Sequence, residues 1–201
     1  MKINQAIFSG SSTKLSERPS PELPEFAFIG RSNVGKSSLI NMLCNHNKLA
    51  LTSSKPGKTR LVNHFMINQS WYLVDLPGYG YAKVPGKIRD QLSSMITSYI
   101  NGSAQLVNLF VLLDSRHEIQ KIDLEFLTKL GEAGVPFSII FTKSDKLGTN
   151  ALAKSIEQNK QILLRYWEEL PPLFVTSSLN NKGREEILDY IGSIIQNNIK
   201  S

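Results

Sequence analysis

Apolar residues in this chain fall into short unbroken runs, and the stretches between the runs carry apolar residues every third or fourth position. The first kind of pattern reads as buried strands and the second as amphipathic helices. Phe26-Ala27-Phe28-Ile29 is the first run, and Leu39, Ile40, Met42 and Leu43 mark one face of a helix behind it. Residues 62–67 and 71–74 read as two strands around a polar turn at Asn68-Gln69-Ser70, hence an antiparallel hairpin. From there the pattern alternates: helix 88–100, strand 106–113, helix 122–130, strand 136–141, helix 151–167, strand 173–175 and helix 184–196. Strands without polar alternation, each followed by a helix, predict a three-layer α/β/α domain. Its sheet has six strands, mostly parallel, with one antiparallel strand. Residues 1–24 read as an extension packed on the body of a domain spanning 25–201. In it Ile3, Ala6, Ile7 and Phe8 can add a short strand at a sheet edge. Pro19, Pro21 and Pro24 bar a helix from its polar second half.

The loop after the first strand carries the chemistry. Gly30-Arg31-Ser32-Asn33-Val34-Gly35-Lys36-Ser37-Ser38 fits the phosphate-loop pattern G-x-x-x-x-G-K-[ST], and it sits between a strand and a helix as that pattern requires. Gly30 and Gly35 let the backbone approach phosphate closely. The helix start offers free N–H groups and the positive end of its dipole. Lys36 reaches the β- and γ-phosphates, Ser37 supplies a hydroxyl to Mg²⁺, and Ser38 donates to the α-phosphate.

Four later motifs follow in order. Residues 45–61 read as a mobile, functional loop containing Gly57, Lys58 and Thr59, with Thr59 a second hydroxyl for Mg²⁺. Asp75-Leu76-Pro77-Gly78 ends a strand, where the carboxylate can hold Mg²⁺ and the Gly78 N–H can meet a γ-phosphate. Thr142-Lys143-Ser144-Asp145 ends another strand. A carboxylate at Asp145 accepts from both the ring N–H and the exocyclic amine of guanine, a pair that adenine lacks. The Lys143 stem lies over the base. Thr176-Ser177-Ser178 follows the last strand, where Ser177 and Ser178 close the base pocket by backbone donation.

With Ser54-Lys55-Pro56-Gly57-Lys58-Thr59 and Asp75-Leu76-Pro77-Gly78-Tyr79-Gly80-Tyr81-Ala82, these motifs resemble the EngB (YsxC/YihA) family, within the translation-factor-related (TRAFAC) class of P-loop GTPases. Asp114-Ser115-Arg116-His117 is similar to the family as well. The resemblance covers nearly the whole chain. It implies a Ras-like GTPase fold, GTP and GDP as ligands with Mg²⁺, and slow hydrolysis. It also implies a switch role in assembly of the large (50S) ribosomal subunit, linked to cell growth and division. Lys36, Thr59 and Gly78 are then the residues nearest the reacting phosphate. Thr142 departs from the Asn that most GTPases carry there.

Several residues keep two readings. Asn33 suits a K⁺ ion bridging phosphate oxygens, as in K⁺-dependent GTPases, or merely a turn that tolerates Asn. Arg31 reads as a solvated loop residue ahead of an arginine finger. Tyr79 stands where Ras-like enzymes place a water-orienting Gln. Lys48, Lys55, Lys58, Lys83 and Lys87 cluster in two loops, as solubilising charge or as contacts to ribosomal RNA. Three other readings fit the phosphate loop: an ATP-dependent kinase, which has no need of Asp145; a GTP-occupied scaffold that seldom hydrolyses; and another GTPase of the same superfamily, such as a tRNA-modification or membrane-transport domain.

The remaining composition changes little. A net charge of +6 agrees with an anionic partner without requiring one. A single cysteine, Cys44, forms no internal disulfide and reads as a core residue in a reducing compartment. No run is long and apolar enough to cross a membrane. The expectation is a cytoplasmic monomer.

Overall fold

The computed structural model describes residues 1–50, 61–80 and 85–200. Its elements, in chain order, are β1 (Ala6–Ser12), β2 (Glu25–Gly30), α1 (Lys36–Leu43), β3 (Val62–Ile67), β4 (Trp71–Asp75), α2 (Gly86–Gly102), β5 (Leu106–Asp114), α3 (Lys121–Glu132), β6 (Phe137–Thr142), α4 (Thr149–Leu163), β7 (Leu173–Val175) and α5 (Arg184–Lys200). The strands form one sheet in the order β1-β3-β4-β2-β5-β6-β7. β3 runs antiparallel to both neighbours, and the pairings from β4 to β7 are parallel.

Side chains on a strand alternate between faces, and here each face has its own core. Phe26, Phe28, Phe110 and Leu112 point to the side covered by α1 and α5, where they meet Leu39, Leu43, Ile187 and Ile191. Ala27, Ile29, Leu109 and Val111 point the other way, toward Ile96, Leu127 and Leu163 of α2, α3 and α4. Phe28 and Phe110 stack with centroids 4.8 Å apart across β2 and β5. Each such fully buried side chain contributes about 1.5–3 kcal/mol. The middle strands therefore read as unbroken apolar runs because they are covered on both sides.

The sheet has seven strands rather than six because β1 joins the edge beside β3. It continues past the apolar Ile7 and Phe8 into Ser9-Gly10-Ser11-Ser12 through an irregularity between Phe8 and Gly10. The strand expected at the apolar residues thus runs on through polar ones, because an edge strand has one row exposed to water and accepts them. α4 stops at Leu163, four residues short of the periodic pattern. Trp167 turns instead onto Phe137 of β6, ring centroids 6.3 Å apart. Gly131 leaves room for it, since a Cβ there would lie 3.3 Å from the indole nitrogen. Packing overrides helix periodicity at that point.

At the end of β2 remote from the phosphate loop, Glu25 is buried and accepts from the Tyr99 hydroxyl at 2.6 Å and the Ser103 hydroxyl at 2.8 Å. His64 Nε2 lies 3.6 Å and Arg18 Nη1 3.8 Å from its other oxygen. This cluster ties the segment before β2 to the C-terminal turn of α2.

Candidate nucleotide site

β2 delivers Gly30 to a position that only glycine can fill. A Cβ there would lie 2.9 Å from Val34 Cγ1 and 3.0 Å from the Leu112 carbonyl oxygen. The chain then turns through Asn33 (φ 62°) and Gly35 (φ 104°), both left-handed. Gly35 is the residue before the first turn of α1, and its carbonyl receives the Leu39 N–H at 2.9 Å. The loop is thus a tight curve of backbone opening onto a helix N-terminus, the geometry that receives anions. Lys36 is buried, Ser37 half-buried, and Ser32, Asn33 and Ser38 are exposed.

The end of β6 braces this loop from behind. The Thr142 hydroxyl donates to the Val34 carbonyl at 2.6 Å, and Lys143 Nζ donates to the Asn33 carbonyl at 2.6 Å. Thr142 therefore makes the bracing contact with a shorter side chain than the Asn of most GTPases. Lys143 also pairs with Asp114 at 2.8 Å, and Arg116 grips the same carboxylate with two N–H groups at 2.9 and 2.7 Å. Burial works to raise Asp114, but the bonds from Arg116 and Lys143 outweigh it and hold its carboxyl well below the usual range. The sequence offered Asp114 and Arg116 only as a resemblance; their part in orienting Lys143 needed the fold.

Lys36 donates to the Asp75 carboxylate, joining the first turn of α1 to the end of β4. Burial pushes the ammonium down to about 7. The Asp75-Leu76-Pro77-Gly78 segment is buried and stays zipped to the phosphate-loop side: Leu76 N–H donates to Phe28 at 3.0 Å and Tyr79 N–H to Gly30 at 3.3 Å. Ser37 and Asp75 offer hard oxygen donors of the kind that suits Mg²⁺. Asp75 reaches the same helix turn that carries Ser37, so these residues fit the ion. Gly57, Lys58 and Thr59, and with them Lys55, Lys83 and Tyr81-Ala82, lie outside the described residues. Among the described residues no cluster of His, Cys, Asp and Glu forms a separate metal site.

The base side is assembled from two strand ends. Asp145 sits on a single 3₁₀ turn, Ser144–Lys146, after the left-handed Lys143 (φ 60°). Ser177, fully buried, donates its hydroxyl to Asp145 Oδ1 at 2.7 Å. That bond comes first in holding the Asp145 carboxyl below its ordinary value. The Ser177 N–H turns to the Lys182 carbonyl at 3.2 Å, which leaves Ser178 for the backbone donation read from the sequence. Thr176 is buried behind them, its N–H on the Phe141 carbonyl at 2.8 Å, and receives the Ser144 N–H at 3.0 Å. Arg31 keeps 38% of its side chain exposed, as a solvated loop residue does, with Nη1 4.0 Å from Asp123 Oδ2.

The family model described as "50S ribosome-binding GTPase" matches residues 25–143. The probable GTP-binding protein EngB of Porphyromonas gingivalis is 60% identical over 196 residues, 98% of each chain. Its counterparts in Bacteroides thetaiotaomicron and Flavobacterium psychrophilum are 59% and 54% identical, over 96% and 100% of this chain and 96% and 98% of theirs. A crystal structure of a probable GTP-binding protein EngB covers 86% of this chain and 99% of its own, with 24% identity and a TM-score of 0.63. Era of Aquifex aeolicus bound to GDP and aluminium fluoride gives 0.66 at 23% identity, over 85% of this chain and 56% of Era. Both likenesses are to the fold. With a matching family model over residues 25–143 and relatives at 54–60% identity, the kinase reading falls, and the chain belongs to the EngB family of P-loop GTPases.

Proposed function

We propose that this GTPase is a nucleotide-dependent switch in assembly of the large ribosomal subunit, a monomer of the cytoplasm whose work is linked to growth and division. The observation that carries the reading is the match of residues 25–143 to a family described as ribosome-binding. In the described residues no helix is long and apolar enough to cross a membrane. Within the site, amides of the phosphate loop and of Lys36, Ser37 and Ser38 surround the phosphates, while the Val34 N–H is held by the Arg31 carbonyl at 3.2 Å. Lys36 leaves Asp75 for the β- and γ-phosphates. Ser37, Asp75 and Thr59 hold Mg²⁺, which when bound neutralises phosphate charge. Asp145, oriented by Ser177, selects guanine, with the Lys143 stem along the base and Ser178 on the guanine oxygen. The Gly78 N–H and Thr59 contact the γ-phosphate, and hydrolysis releases both segments. Gly57 and Lys58 flank that contact. Sedimentation with isolated 50S and 30S subunits tests the reading. Cosedimentation with 50S under a non-hydrolysable GTP analogue, and less under GDP, is expected; equal pelleting with both nucleotides, or none, rejects the switch.

A further inference from the structure

Tyr79 follows Gly78 directly, and its side chain is turned away from the phosphate loop into α3. Its ring stacks on Phe126, centroids 4.4 Å apart and planes 18° from parallel. Its hydroxyl donates to Asp123 Oδ1 at 2.8 Å, and both residues are buried. Asp123 divides its carboxylate. Oδ2 accepts the Gln120 N–H at 3.1 Å, which caps α3, and lies 4.0 Å from Arg31 of the phosphate loop. The backbone closes the circuit, since Arg31 and Tyr79 form a parallel bridge. One carboxylate thus meets the phosphate loop, the residue after Asp75-x-x-Gly78, and the first turn of α3.

A phenylalanine at this position would keep the stack and the burial. The hydroxyl adds only the bond to Asp123, placed one residue from the N–H assigned to the γ-phosphate. Burial first, and then the Asp123 charge, raise the phenol well above its ordinary value, so it remains a donor. Gly80 fixes the following step: it is left-handed (φ 76°), and a Cβ there would lie 3.1 Å from Ile122 of α3.

We propose that Tyr79 and Asp123 are a positioning pair that seats the Gly78 segment on α3 and, through Arg31, on the phosphate loop, so that α3 registers the γ-phosphate. This goes beyond the ribosomal role and rests only on the Gly78 assignment. GDP, which lacks that phosphate, is indifferent to the pair.

The test uses the full chain with Mg²⁺, labelled GDP and a labelled non-hydrolysable GTP analogue. The variants are Tyr79→Phe, Asp123→Ala, the double variant and Gly78→Ala, with circular dichroism to confirm folding. Tyr79→Phe is expected to hold GDP within about twofold of wild type. It should lose about five- to tenfold for the analogue, the scale of one buried hydrogen bond. Adding Tyr79→Phe to Asp123→Ala should then cost nothing more. A lowered melting temperature with an unchanged or raised analogue-to-GDP ratio overturns the pair as positioning residues. Loss in Gly78→Ala with none in Tyr79→Phe overturns the pair alone. No loss in either variant overturns the Gly78 assignment and the pair with it. If Asp123→Ala does not fold, Tyr79→Phe decides alone.

Discussion

Lys36 and Asp75, thirty-nine positions apart in sequence, meet as a buried ion pair across the gap between α1 and the end of β4. Each is assigned to a different part of a magnesium–nucleotide complex, the lysine to phosphate and the carboxylate to the metal. The pair keeps two costly buried charges compensated until the ligand separates them.

Lys36→Ala should therefore do two things. It removes nucleotide binding, and it leaves Asp75 buried without a partner, which costs about 3 kcal/mol of stability. Urea unfolding of the nucleotide-free protein measures the second effect apart from the first. The double variant Lys36→Ala/Asp75→Ala should lose less than the sum of the two single losses. Additive losses would mean the pair contributes no coupling.

Asp145→Asn should exchange base preference. The amide keeps one acceptor but presents a donor where guanine also donates, so GTP affinity should fall by the equivalent of about 1–3 kcal/mol. Xanthine carries a carbonyl in place of the exocyclic amine, and XTP affinity should rise. Ser177→Ala, which removes the bond at 2.7 Å to Asp145, should cost about 1 kcal/mol for GTP without favouring XTP. Competition of labelled GDP by GTP, XTP and ATP reads all three. An Asn variant that still prefers GTP over XTP would reject the role of Asp145.

Hydrolysis by the isolated protein should be slow, no faster than about 10⁻⁴–10⁻³ s⁻¹, the scale of unassisted Ras. The residue after Gly78 is a tyrosine held on Asp123, so no side chain at that position orients the attacking water. Asn33 is left-handed (φ 62°), which satisfies its turn reading, and it is exposed, which leaves its side chain to meet a K⁺ ion at the phosphates. Single-turnover hydrolysis in KCl and in NaCl separates the two. Faster turnover in KCl that is lost in Asn33→Ala supports the ion; equal rates leave Asn33 as a turn residue.

The parts of the site legible in the sequence were those held in short contiguous motifs. Gly30 to Ser38 announced itself because strand, glycine curve and helix start are adjacent in the chain. Asp145 was legible for the same reason. What stayed hidden were side-chain pairings between distant segments, such as Thr142 with Val34, Ser177 with Asp145, and Tyr79 with Asp123. Nothing local in the sequence specifies them, because they follow from which strand ends the parallel sheet brings side by side. Asp123 did leave a local trace, three residues after Gln120 in a helix-capping pattern. That pattern explains the cap without pointing to Tyr79. In the fold, the inner strands followed directly from apolar runs. The edge strand at Ala6 to Phe8 was legible in the same way; its polar extension to Ser12 and the end of α4 were not, because an edge position and the docking of Trp167 on Phe137 decide them.

Stability should weaken as pH falls below about 4.3, and Glu25 should carry part of that loss. Burial works to raise its carboxyl, but the His64 imidazole beside it and the bonds from Tyr99 and Ser103 outweigh burial and lower it below the ordinary glutamate value. In the unfolded chain Glu25 returns to about 4.3. Between those two values the unfolded state binds more protons, so stability rises with pH across that window. The contribution is complete above the unfolded value and is lost as pH falls through the folded one. Glu25→Gln keeps an acceptor for Tyr99 and Ser103 but never carries charge. It should cost about 1–3 kcal/mol at pH 7, and its deficit against wild type should shrink steadily as pH drops below about 4.3. Urea unfolding of both proteins from pH 3 to pH 7 gives the two curves. Parallel curves would mean the buried cluster at the start of β2 holds the fold through packing alone.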